Sequence, residues 1–126
     1  MSKYAPVNIE TDVDGLGSFR EENQVWKVTS LIYHVKDQEL EVFELPLCGI
    51  NLATTVWESG DLKIKDFAKH WKRANDADLS YPVILDDDGF IMDGWHRVAK
   101  ALFLGLSTIK AVRFDKTPAC DYIKSD

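Results

Sequence analysis

Asp93-Gly94-Trp95-His96-Arg97 puts a carboxylate, a flexible turn residue, an imidazole and a guanidinium where a strand gives way to a helix. The first turn of a helix leaves backbone N–H groups without intrahelical partners and carries the positive end of the helix dipole, so a phosphate or carboxylate is favoured there. Gly94 lets an anion approach the backbone, and Arg97 can hold two of its oxygens at once. The candidate anion-binding residues are therefore Asp93, Gly94, Trp95, His96 and Arg97.

Each has a plainer role to set against that one. His96 can hydrogen-bond a loop carbonyl, although its place beside Gly94 and Arg97 favours an anion. Arg97 can pair with Asp93 or with the Asp86-Asp87-Asp88 run, which would occupy the guanidinium without any ligand. Trp95 offers a stacking surface for a base, yet its spacing with Val98 and Leu102 favours the core. Three aspartates in a row suit Mg²⁺, but an Asp-rich run ending in glycine reads first as a hairpin turn, and no second ligand cluster is visible, so no protein-held metal is expected.

The elements that must position this turn can be read on either side of it. Tyr81–Leu85 is an apolar run that reads as a buried strand, Asp86–Gly89 is a turn, and Phe90–Met92 is the returning strand of a hairpin. Trp95, Val98, Ala101, Leu102 and Gly105 lie three and four apart, which predicts a helix over Trp95–Leu104 capped by Gly105. Ile109–Phe114 reads as the last strand. Upstream, Val28, Leu31, Ile32 and Val35 keep helical spacing and predict a helix from Val25. Glu41–Leu45 alternates like a strand that ends, or sits at a sheet edge, at Pro46. Leu47 to Gly60 reads as loop or short helix. Asp61 is the expected N-cap of a helix over Leu62–Ala74. That helix carries Lys65, Lys69, Lys72 and Arg73 as a basic stripe opposite Ile64, Phe67, Ala68 and Trp71, and the stripe reads first as a solvated face. Ile64, Phe67, Trp71, Val98, Leu102 and Val112 are expected in the core. The result is an α+β fold, with residues 1–22 a polar lead-in and residues 23–126 one domain.

The bulk properties narrow the function. At 126 residues and 45% hydrophobic content the chain suits one core. No run approaches the ~20 apolar residues that span a bilayer, and Met1–Pro6 lacks a signal-peptide pattern, so a cytoplasmic protein is expected. Cys48 and Cys120 lack metal-ligand spacing, and Cys48 is expected as a small buried hydrophobe. A net charge of −6 argues against a general nucleic-acid coat.

The segment YPVILDDDGFIMDGWHRVAKALFLGLSTIKAVRF, Tyr81–Phe114, resembles the ParB/sulfiredoxin-like superfamily, in which a hairpin feeds a Gly-x-His-Arg turn and then a helix. Gly94, His96 and Arg97 match that motif, and Asp93 matches the acidic residue often found before the glycine. The resemblance implies a small mixed sheet packed by helices and a nucleotide whose phosphates sit at the turn, with ATP or another nucleotide and Mg²⁺ as the expected ligand. Sulfiredoxin-like enzymes carry a cysteine where this chain has Trp95, so that activity is not expected. ParB partition proteins continue into a helix-turn-helix domain, whereas about a dozen residues follow Phe114 here, so specific partitioning by this chain alone is not expected either. Relatives reading Asp-Gly-His-Thr-Arg phosphorylate a small hydroxyl-bearing substrate with a glutamate base, a role for which Glu44 and Glu58 are the candidates. Three classes follow: a nucleotide- or phosphate-binding domain with ATP-dependent phosphotransfer, ranked first; a nucleic-acid binder or nuclease; and a non-catalytic interaction protein of phage or mobile-element type. Catalytic residues and oligomeric state are not assigned by the sequence.

Overall fold

A computed structural model of the protein describes residues 18–53, 56 and 63–124. Among these residues the fold is α+β, with two sheets and three α-helices. The central sheet contains β3 (Phe43–Pro46), β4 (Val83–Leu85), β5 (Ile91–Asp93) and β6 (Thr108–Arg113), in the order β3-β6-β4-β5. β6 runs parallel to β4, and the other pairings are antiparallel. A mixed sheet of this kind needs a crossover to return the chain from β5 to β6, and α3 (Trp95–Phe103) supplies it.

Successive strand residues face opposite sides of a sheet, and the sequence fills both sides with apolar groups. Val83, Leu85, Ile91, Ile109 and Ala111 pack with Val98 and Ala101 of α3 and with Leu47. Ile84, Met92 and Val112 point the other way, onto Trp26, Phe114 and Leu31 of α1 (Val28–Asp37). This two-sided burial is why Val83-Ile84-Leu85 is apolar without alternation.

A second sheet places β1 (Ser18–Glu21) and β7 (Tyr122–Ile123) on either side of β2 (Gln24–Lys27). Residues 18–21, assigned above to the lead-in, thus form a strand, while residues 1–17 lie outside the described residues. Val25 and Trp26 also belong to β2 rather than to a helix, and α1 begins at Val28. The correction has a physical source. Gln24–Lys27 is held by pairing with Ser18–Glu21 and with Tyr122–Ile123, nearly a hundred residues away, and local spacing cannot register that partner. Lys27 at the junction donates its N–H to Asp121 at 2.6 Å.

α2 (Ile64–Asp76) starts from Lys63, which makes no side-chain cap; Asp61 and Leu62 lie outside the described residues. Its period agrees with expectation but its orientation does not. Ile64, Phe67 and Trp71, together with Leu102 of α3, are exposed rather than buried, while Val98 and Val112 are in the core. The half-buried positions of α2 are instead Asp66, Lys69, His70 and Arg73, with Ala68, Lys72 and Ala74. Polar ties to α3 fix this rotation. Lys100 donates to the carbonyls of Asn75 and Ala77 at 2.8 and 2.7 Å, closing the carboxyl end of α2, and His70 meets His96. The apolar stripe is left facing outward.

Candidate functional site

The Asp86–Gly89 turn carries the hairpin into the site. Asp86 is buried, and its carboxylate accepts the N–H groups of Asp88 and Phe90 at 3.0 and 2.8 Å, while Gly89 takes a positive φ of 90°. The aspartate run therefore builds the turn, and its one buried carboxylate is spent on backbone donors.

β5 then delivers Asp93 to Gly94, the N-cap of α3, at φ 118° and ψ 16°. A side chain at Gly94 would run into Val83, whose Cβ would lie 2.8 Å away. The glycine is thus explained by a left-handed turn pressed against β4, without appeal to close approach by a ligand. It offers no side-chain cap to the first turn of α3.

Arg97 turns back under this corner. Its guanidinium reaches the Asp93 carboxylate at 2.6 Å and donates to the carbonyls of Tyr81 and Pro82 at 3.1 and 2.5 Å. Both charged groups are four-fifths buried. Burial pushes the Asp93 carboxyl above its ordinary range, against the pull of Arg97 and of the Gly94 N–H. The arrangement is the internal pairing that competes with an anion role for Arg97, extended to two carbonyls at the start of β4.

His96 occupies the other flank. Its Nε2 lies 2.9 Å from Nδ1 of His70, with the rings stacked at 18° and centroids 5.2 Å apart. A nitrogen-to-nitrogen contact needs one N–H and one lone pair, so the rings cannot both be doubly protonated while it persists. Burial first, and then the charges of His70, Arg73 and Arg97, lower the His96 pKa from 6.5 to about 4. His96 is neutral at pH 7.

These groups open onto a cleft of about 950 Å³. Gly94, Trp95 and His96 form its floor, Arg73 of α2 and Arg20 of β1 add positive charge, and Glu21, Asp86 and Asp93 add carboxylates. Trp95 packs on the first core cluster and also borders the cleft. Four of the five expected residues, Asp93, Gly94, Trp95 and His96, line the cleft, and Arg97 does not. Arg73 belongs to the basic stripe that reads first as a solvated face and second as a phosphate-tracking surface, while the sequence does not single out Arg20 or His70. His70 lies three residues before Arg73 on one helical face, a spacing that marks the inward side once the apolar stripe is known to face outward.

Other candidates fall elsewhere. Glu44 accepts the Thr108 hydroxyl at 2.9 Å on β3 and does not border the cleft; Glu58 is outside the described residues. Cys48 is exposed in the single turn Leu47–Gly49, not buried, because Leu47 takes the inward position of that turn. Among the described residues no helix is long and apolar enough to cross a membrane. No family model, curated protein or solved structure matches the chain.

Proposed function

We propose that this chain is a ParB/sulfiredoxin-like domain that binds a nucleotide or another phosphate-bearing ligand in the cleft, with a phosphate at the start of α3. The observation that carries this reading is the meeting, in one cleft large enough for a nucleotide, of an uncapped nine-residue helix N-terminus with Arg73 and Arg20. The phosphate contacts are assigned to the first-turn N–H groups of α3, to the His96 ring and to Arg73. Arg97 holds the corner in shape from beneath.

Charge supports a small ligand over a nucleic-acid strand. Carboxylates of Glu21, Asp86 and Asp93 share the cleft with the two arginines, and a chain of net charge −6 has little to offer a polyanion backbone. Mg²⁺, where the ligand is ATP, fits as an ion carried on the phosphates. The Asp93 and Asp86 carboxylates are already engaged by Arg97 and by turn N–H groups, so neither supplies an open ligand position. Phosphotransfer from ATP is the activity that the resemblance adds; Glu44, one of its two candidate bases, does not border the cleft, and Glu21 is the glutamate that does among the described residues.

The test is thermal unfolding at low salt with nucleoside mono-, di- and triphosphates and with inorganic phosphate, each with and without Mg²⁺. A ligand at about one hundred times its Kd stabilises the folded state by ~2.7 kcal/mol. Arg73→Ala should weaken the hit by roughly 10- to 100-fold, the value of a charge-assisted contact. Absence of any shift across the series would end the nucleotide reading.

A further inference from the structure

Two histidines from different helices meet beside the cleft. Nδ1 of His70, in the middle of α2, lies 2.9 Å from Nε2 of His96, the second residue of α3. The ring planes differ by 18° and the centroids are 5.2 Å apart, so both nitrogens lie near the line that joins the ring centres. An imidazole N–H and an imidazole lone pair both point outward in the ring plane, so the contact has the geometry of a hydrogen bond. Its direction decides where His96 carries its proton.

The surroundings of the two rings set that direction. His96 stands in the first turn of α3, at the positive end of the helix, whereas His70 is away from either end of α2. Burial and the charges of His70, Arg73 and Arg97 keep His96 neutral, so a second proton taken up by the pair sits on His70. His70 can donate from Nδ1 with one proton or with two, and a neutral His96 can accept at Nε2. The single proton of His96 is then on Nδ1. His96 borders the cleft and His70 does not, so Nδ1 is the nitrogen with which His96 serves a ligand there.

We propose that His70 is a positioning residue: by donating from Nδ1 to Nε2 of His96 it fixes the His96 proton on Nδ1 and makes the nitrogen offered to the cleft a hydrogen-bond donor. The group this selects is an oxygen with lone pairs and no proton, such as a phosphoryl oxygen. The donor role rests on the cleft's being a phosphate site, whereas the placement of the proton does not.

Two-bond 1H–15N spectra of the imidazoles in the full chain, without ligand and near neutral pH, distinguish protonated from bare ring nitrogens. Wild-type His96 should show a protonated Nδ1 and a bare Nε2. His70→Ala should move the proton to Nε2, the nitrogen that a neutral histidine side chain prefers on its own. His70→Asn, whose amide N–H takes the place of the Nδ1–H, should keep it on Nδ1. Inorganic triphosphate, followed by titration calorimetry, should bind His70→Ala roughly tenfold more weakly than wild type, the worth of one hydrogen bond, and His70→Asn nearly as well as wild type. A wild-type His96 protonated on Nε2 overturns the proposal without any variant, and so does a His70→Ala spectrum that keeps the proton on Nδ1. Equal triphosphate affinity in wild type and His70→Ala overturns the donor role. A wild type that ignores triphosphate while the spectra come out as expected ends the phosphate reading and still supports His70 as the residue that places the proton.

Discussion

Replacing Arg97 with alanine tests whether the guanidinium holds the hairpin corner or grips a ligand. The substitution removes three contacts at once: the 2.6 Å bridge to Asp93 and the donations to Tyr81 and Pro82 carbonyls. Breaking a buried ion pair from one side costs about 3–5 kcal/mol, and an unsatisfied carbonyl about 1 kcal/mol or more. The pair is 17% and 19% exposed, so water partly compensates and the net loss should be about 2–4 kcal/mol. Against a total stability of about 5–15 kcal/mol that is a large fraction, readable in urea denaturation as a lower midpoint with the same slope. The pH dependence carries a second signature. Without Arg97 the buried Asp93 carboxyl, already above its usual range, is pushed higher still. A carboxyl whose folded pKa is raised destabilises the folded state when ionised, and protonation relieves that cost. The gap between variant and wild type should therefore narrow as pH falls into the acid range. A loss under about 1 kcal/mol, coupled with a sharp drop in nucleotide or phosphate affinity, would refute the structural assignment and return Arg97 to the ligand.

Two further outcomes follow from the same corner. Gly94→Ala should cost about 2–5 kcal/mol in the same denaturation assay, because a left-handed non-glycine residue is strained by about 1–2 kcal/mol and the new Cβ overlaps Val83; a near-neutral result would show that the corner can shift. For His96, the folded pKa near 4 lies below the ordinary 6.5, so between those values the unfolded chain holds a proton that the folded chain does not. Stability is fully present above about 6.5 and should be lost as pH falls toward 4, and His96→Gln should flatten that slope. A bound phosphate beside His96 favours the imidazolium, so ligand affinity should rise over the interval in which stability falls. Parallel slopes would separate His96 from the ligand.

The elements that carry the cleft floor were legible in the sequence. Val83-Ile84-Leu85, the aspartate turn and the Trp95–Phe103 helix follow from local causes: an apolar run, an Asx turn closing on glycine, and apolar residues at helical spacing. Gly94 and its neighbours could be placed at a helix start for the same reason. Periodicity also found α2, but it assigns an apolar stripe and not the body that stripe meets. Here Lys100 and His96 of α3 hold the polar side of α2 inward, so Ile64, Phe67 and Trp71 face out and Arg73 reaches the cleft. β2 was lost to a helix because, beside the local hairpin with Ser18–Glu21, its other partner Tyr122–Ile123 lies nearly a hundred residues away. The sequence likewise allowed Arg97 two fates, anion or Asp93. The tertiary structure shows the Asp93 pairing formed and adds a cause the sequence does not contain, because only the folded hairpin brings the Tyr81 and Pro82 carbonyls under the same guanidinium.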